Sequence, residues 1–415
     1  MKGSDILPKK LWTKDFTIIT VGSFISMAGN SLASFAMSLF VLDYTESTML
    51  YALYIFLYTL PQIASPVISG TLMDRFSRRK TIYMLDFSVA TLYLALGLTV
   101  WLGFFNFGIF AVGIFISGMI NSAYLVAFES FYPMLISEGN FGKAYSISSV
   151  LETMTTVMIP VATLIYNALG IFPLMLIDSA LFFTAAIFET QISPVESDGT
   201  DLSEKYRIRQ YIDDTKEGIR YLMAEKGLLA ITIYFMVSFF TGGAEQVITL
   251  PWFRETFTDG EYTYMSVWLM MSLGRVVGGL LHYRINFPVN KKFNIALFVY
   301  VAVDLIEGFY LFASSLWTMR IACFALGILG VTSYNIRISS TQSYVPNERK
   351  GRFNGIFIMT NTIGSMLGDL IAGTLAEVFP MRNVLAGFML FASVCALIII
   401  GGNAKHIKPI YNRKV

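Results

Sequence analysis

The stretch Gly70-Thr71-Leu72-Met73-Asp74-Arg75-Phe76-Ser77-Arg78-Arg79-Lys80 is a short cationic loop between two long apolar runs, and it orients the rest of the chain. Gly70 and Asp74 stand four apart, so a helix continuing from the preceding run carries both on one face, a bare backbone patch one turn above a carboxylate. That face can meet another helix closely. Arg75, Arg78, Arg79 and Lys80 enter hydrocarbon only at high cost, which fixes the loop at a water-facing surface, the cytoplasmic one by the positive-inside rule. The stretch therefore reads as a hairpin between two membrane helices.

Composition agrees. At 415 residues, 55% hydrophobic, 14% charged and with a mean hydropathy of +0.61, the chain is too apolar for soluble domains, whose charged share is about 25%. It reads as an all-α integral membrane protein. A net charge of +2, with its cations distributed along the chain, gives no case for a nucleic-acid partner. Cys323 and Cys395 lie in apolar runs and His282 and His406 stand far apart, so neither a disulfide framework nor a metal centre is indicated, and no cofactor is expected. The N-terminal MKGSDILPKKLWTKDF leads into an apolar run longer than a signal-peptide core, which reads as a retained first membrane helix.

A bilayer core needs roughly 20 apolar residues per helix. By that measure about twelve spans occur, at 15–42, 47–72, 81–102, 107–130, 144–168, 173–190, 228–251, 262–283, 293–313, 317–341, 353–378 and 383–402. With the N-terminus inside, 25 of the 30 Lys and Arg fall on inner segments and only Arg254 and Arg382 on outer ones. That asymmetry puts both termini in the cytoplasm. The one long polar segment, 191–226, begins as a linker and becomes helix-like: Ile208, Ile212, Thr215, Ile219 and Leu222 recur at spacings of three and four among charged residues. It reads as a surface helix on the cytoplasmic face. Gly70 and Arg75 match Gly279 and Arg284 at an offset of 209, and Gly142-Lys143 matches Gly351-Arg352 at the same offset. The constant register favours an N-terminal six-helix bundle over 1–190, a joint over 191–226 and a C-terminal six-helix bundle over 227–415.

With this layout, the opening stretch resembles the loop between the second and third helices of the major facilitator superfamily, where Gly is followed by Asp-Arg and further basic residues. Leu60-Pro61-Gln62 through Pro66, Gly70, Asp74-Arg75, Arg78-Arg79-Lys80 and Asp86 looks most like the drug-exporter branch that includes macrolide-efflux-type carriers. Ile177-Asp178-Ser179, Glu217-Gly218-Ile219-Arg220-Tyr221-Leu222 and Val345-Pro346 to Gly351-Arg352 also have the family's look, so the resemblance covers nearly the whole chain. It implies two six-helix bundles around a central cavity lined by the first, fourth, seventh and tenth spans, rocking to expose it to alternate sides. It also gives Asp74 a role as a carboxylate at the N-terminus of the eleventh span, around Arg352 to Gly355, where a helix dipole favours an anion by about 0.3 to 1 kcal/mol. There it would latch the cytoplasmic side, with Gly70, Arg75 and Arg78 in the same gating element. The second half has Tyr283 where Asp74 would fall, so the latch is one-sided. Two departures stand out: Ser117 occupies the place of the fourth-span arginine of drug/proton antiporters, and the Gly-Pro signature of the fifth span is reduced to Ile159-Pro160.

An ionisable side chain within a span costs at least about 2.5 to 3.5 kcal/mol, which makes each a functional candidate. Glu152 and Arg275 both lie about 12 to 13 Å from the cytoplasmic end of their helices at 1.5 Å per residue. In the family fold those two helices meet, so the pair is a candidate gate or proton-sensitive switch, the alternatives being an ordinary structural ion pair or two unrelated charges facing a wet cavity. Glu245, beside Gln246 in the seventh span, is the first candidate for a substrate or proton-coupling site. Asp369 and Glu129 are secondary ones. Asp304 and Glu307 share a face of the ninth span and read as a structural network. Asn335 and Arg337 in the tenth span would either meet an anionic group of a substrate or, for Arg337, snorkel to the surface. Gly274 and Gly278, and Gly364 and Gly368, have the Gly-x-x-x-Gly spacing that lets helices approach closely. The 35 Phe and 22 Tyr are what membrane packing and interfacial belts require.

These readings lead to a secondary transporter of the major facilitator type in the cell membrane, a monomer exporting a small amphipathic or hydrophobic compound, with a proton as coupling ion, as in an antiporter. The alternatives are a dedicated carrier of one metabolite, lipid or peptide, and a sensor or scaffold of the same shape. An enzyme would show a convergent nucleophile, base or metal set, and none is visible in the sequence.

Overall fold

A computed structural model describes residues 10–61, 63, 77–137, 141–193, 208–284 and 287–413. Every regular element among them is helical. Among the described residues ten helices are long and apolar enough to cross a membrane, and the apolar segments Thr48–Thr59 and Met158–Leu169 stand where the second and fifth spans were expected. By contact the chain divides into two units, one of Met1–Tyr44 with Leu57–Tyr211, the other of Thr45–Phe56 with Ile212–Val415.

The first unit holds α1 (Lys14–Thr45), the end of α2 (Thr48–Thr59), α3 (Arg78–Trp101), α4 (Phe107–Phe131), α5 (Phe141–Leu169) and α6 (Ile171–Glu189). Their apolar residues run all round each helix, as lipid on one side and protein on the other require. Helix ends carry local signals. Asn106 caps α4 by accepting from the N–H groups of Gly108 at 2.8 Å and Ile109 at 3.3 Å. Gly170, at φ 80°, breaks the chain between α5 and α6 in a conformation a side chain would resist. Helix α3 packs along α6 and α4.

The second unit holds α7 (Ile208–Ala224), α8 (Lys226–Thr256), α9 (Gly260–Arg284), α10 (Lys292–Phe309), α11 (Leu316–Tyr344), α12 (Asn347–Ala376), α13 (Met381–Cys395, continued by a π-helical turn, Ala396–Gly401) and α14 (Ala404–Tyr411). The two Gly-x-x-x-Gly pairs work inside this unit. Gly274 and Gly278 of α9 lie against the backbone of Phe324 and Ile328 in α11, while Gly364 and Gly368 of α12 lie against the carbonyls of Met236 and Phe240 in α8. The contacts are reciprocal: Gly327 of α11 faces Met271, and Gly243 of α8 faces Ser365 and Asp369. Close backbone approach is what small residues provide where lipid removes the hydrophobic drive for association.

The start of α2 belongs to this second unit as well, and a borrowed cap holds it there. Glu377, just past α12, accepts from the Ser47 hydroxyl at 2.7 Å and the Met49 N–H at 2.9 Å. One turn earlier Gly373 leaves room for Ala52. The Met49 N–H, then the Ser47 hydroxyl, hold the Glu377 carboxyl below the usual glutamate value, which is about 4.3. A depressed carboxylate contributes its stability above the unfolded value and loses it as pH falls through the folded one. The cap therefore persists at neutrality and is released only in acid, below the range in which a free glutamate titrates. Glu377→Ala is expected to speed hydrogen exchange at Met49 about fivefold at pH 7, the effect of losing one cap. Equal exchange in variant and wild type would count against the cap.

Candidate functional site

In the second unit three helices bring charged groups together within the span region. Glu245 of α8 and Glu307 of α10 lie in carboxyl-to-carboxyl hydrogen-bond contact, and Arg275 of α9 is close enough to act electrostatically on both. Glu307 is thus not confined to a network with Asp304, the reading its position three residues away suggests. Asp304 is buried near Ser393 of α13, with its Oδ2 and the Ser393 hydroxyl both without a hydrogen-bond partner. Around the pair, Tyr310 donates to Thr249 Oγ1 at 3.4 Å, and Thr249 donates to the Glu245 carbonyl oxygen at 2.5 Å. Glu245 Oε1 is buried without a hydrogen-bond partner. Two ionised carboxylates repel at such range, whereas a single shared proton turns the contact into a hydrogen bond. The arrangement can therefore hold one proton between two carboxyls beside a fixed cation, and release it when the contact opens.

The other expected residues distribute as follows. Asp369 of α12 is buried, its Oδ1 without a partner and pressed on the space where a Cβ of Gly243 would stand. Arg337 has no carboxylate partner among the described residues. Its guanidinium stacks over Phe357 at 4.6 Å, Phe235 at 5.1 Å and Tyr334 at 5.3 Å, a three-ring cage. Asn335 is half-buried two residues earlier, its carbonyl accepting from Ser339 at 2.6 Å. Arg275 donates to Met271 Sδ at 3.6 Å, and the side chain of Glu152, its expected partner, lies outside the described residues, as does that of Glu129. Gly70, Asp74 and Arg75 also lie outside them. Arg78 reaches Met134 Sδ at 2.8 Å, while Arg79 donates to the Thr190 carbonyl at 2.6 Å. Arg352, expected near Asp74, forms an ion pair of 2.8 Å with Glu217 of α7.

The first unit contains a second carboxyl cluster that the sequence reading passed over. Asp86 of α3 accepts from Ser26 Oγ of α1 at 2.5 Å and hydrogen-bonds Glu189 at the end of α6. Tyr124 of α4 donates to Ser23 at 3.1 Å and reaches Glu189 Oε1 at 3.5 Å. Gly22 makes this possible, since a Cβ there would stand 2.9 Å from Glu189 Oε1. Two turns along α1, Gly29 similarly accommodates Asp178, both of whose oxygens are buried without partners. Asp86 and Asp178 were visible only as parts of motifs; the general cost of a carboxyl within a span was the signal that would have singled them out. Ser117, at the place of the missing arginine, is fully buried and bonds Tyr93 at 2.9 Å.

A family model described as Major Facilitator Superfamily matches residues 19–368. Among curated proteins, the uncharacterized MFS-type transporter YkuC of Bacillus subtilis is 24% identical over 377 residues, covering 88% of this chain and 86% of its own. Macrolide efflux protein A of Streptococcus pyogenes is 22% identical over 410 residues, covering 93% and 96%. Among solved structures, the nucleoside transporter NupG superposes with a TM-score of 0.64 at 12% identity over 93% of this chain and 98% of its own. An auto-inhibited POT family peptide transporter gives 0.65 at 13% identity over 95% and 97%. At those identities the solved structures speak for the fold alone.

Proposed function

This chain belongs to the major facilitator superfamily and is a multi-pass membrane transporter of that type, and from that premise we propose that it exports a small amphipathic or hydrophobic compound by proton-coupled alternating access. The observation that carries the coupling is the contact of Glu245 with Glu307 beside Arg275. One shared proton leaves the pair with a single negative charge and a hydrogen bond between the carboxyls, and its loss leaves two like charges that drive the helices bearing them apart. Because Ser117 replaces the fourth-span arginine, a carboxyl pair in the second half is the natural alternative carrier of the proton. Direction is supported by the macrolide efflux relative, which aligns over nearly the full length of both chains. The proposal includes two transporting halves joined by 191–226, a cell-membrane location and cytoplasmic termini, for which the Lys and Arg distribution is the support.

In proteoliposomes, uptake of a macrolide against its gradient should require an imposed pH gradient and collapse with a protonophore. Accumulation that ignores the pH gradient would sink proton coupling. A second reading, a carrier dedicated to one anionic metabolite, lipid or peptide, is favoured by Arg337, which has aromatic neighbours and no acidic partner among the described residues. Transport inhibited by carboxylate-bearing competitors, and released from that inhibition in Arg337→Gln, would select it.

A further inference from the structure

Helix α7 presents two different faces. On one, Gly218 packs against Ile356 and Arg352, Leu222 is buried in the core of the second unit, and Glu217 pairs with Arg352. At 100° per residue, Lys216, Ile219, Arg220 and Met223 fall together on the opposite face. The apolar stripe expected there is thus divided: Leu222 turns to protein, while Ile219 and Met223 remain 40% and 67% exposed. These two apolar side chains lie between two exposed cations for which no acidic partner occurs among the described residues. Beside this face opens a cleft of about 560 Å³ lined by Lys216, Glu217, Arg220, Tyr221 and Arg349. Arg349 lies over the Tyr221 ring at 4.8 Å. Among the described residues, Glu217 is engaged with Arg352 and Glu225 with the Tyr344 hydroxyl at 3.0 Å.

Position decides what such a face meets. Helix α7 ends at Ala224 and α8, a span, starts at Lys226, so α7 is tethered within two residues of the bilayer boundary. Apolar residues alternating with Lys and Arg at that level are the chemistry of a helix lying in the headgroup layer, its apolar side chains in the acyl region and its cations at phosphates. We propose that the outer face of α7 and the adjoining cleft bind the headgroup of an anionic phospholipid. Lys216, Arg220 and Arg349 hold the phosphate, while Ile219 and Met223 enter the lipid beside it. The lipid then bridges α7 and the Arg349 segment at the start of α12, and so tunes the segment that joins the two halves of the chain.

The test uses the purified full-length protein in detergent, with bound lipid counted by native mass spectrometry. Phosphatidylglycerol should be retained at least tenfold better than phosphatidylcholine. Each basic residue near an anionic surface is worth about a fivefold change, enough for K216Q/R220Q/R349Q to erase that preference and retain the two lipids alike while keeping its elution profile. Ile219→Ser with Met223→Ser should weaken retention of both lipids and leave the preference intact. Equal phosphatidylglycerol retention by the triple variant and wild type overturns the proposal. Displacement of phosphatidylglycerol by equimolar inorganic phosphate also overturns it, by reducing the site to one for a soluble anion.

Discussion

Glu245→Gln protein, reconstituted and given a pH gradient, is expected to carry substrate down its own gradient but not to accumulate it. The reason lies in what the amide can and cannot do. An amide at this position still fills the space and still donates to Glu307, so the helix packing that brings α8 and α10 together is kept. It cannot bind or release a proton, so the pair no longer alternates between a singly charged, hydrogen-bonded state and a doubly charged, repelling one. With one proton coupled per cycle, a gradient of one pH unit is worth about 1.4 kcal/mol and sustains about a tenfold concentration ratio. The variant should show a ratio of about one under the same gradient, by the same arithmetic. Counterflow, which needs only the binding and rocking steps, should survive. Glu307→Gln should behave alike, because one shared proton belongs to both residues. Wild-type accumulation in either variant would remove the pair from the coupling site.

The sequence made Glu245 visible but not its partner, and the reason is physical. A carboxyl within an apolar run stands out because hydrocarbon penalises it whatever the fold. Which carboxyl faces it depends on how two helices are rotated about their axes, and no local pattern records that. Glu307 therefore read as the companion of Asp304, its neighbour on the same helix, whereas packing brings it against Glu245 of another helix. The same holds for Asp86 and Glu189, the second of which finds its room beside Gly22 of α1, a residue that carries no charge at all. Span positions were legible because bilayer thickness sets the length of every apolar run. On α7 the period of the apolar residues was legible, but a 3.6-residue repeat does not distinguish a protein-facing residue such as Leu222 from an outward-facing one such as Ile219. The Gly-x-x-x-Gly spacing likewise announced close approach without naming the helix approached.

That last distinction yields the largest expected effect on stability. Gly368 of α12 lies so near the Phe240 carbonyl of α8 that an added Cβ would overlap it well inside van der Waals contact, and the obstacle is backbone, which cannot rotate away. The neighbouring contacts lie on the same seam, Gly364 on Met236 and Gly243 on Ser365 and Asp369, so relief at one position means parting the two helices along several turns. Overpacking of this kind costs about 1 to 3 kcal/mol where side chains can adjust, and a backbone obstacle belongs at the upper end or beyond. Gly355, thirteen residues earlier on the same helix, has nothing among the described residues within 4 Å of its Cβ position. There alanine should be neutral or stabilising, since glycine in a helix interior is up to about 1 kcal/mol less favourable than alanine. The two substitutions are chemically identical, so intrinsic helix propensity cancels between them and only packing remains. Thermal unfolding in detergent, followed by tryptophan fluorescence, should show Gly368→Ala melting well below wild type and Gly355→Ala at or above it. Equal melting of the two variants would mean that α8 and α12 do not meet along this seam, and with it would go the placement of Asp369 against Gly243.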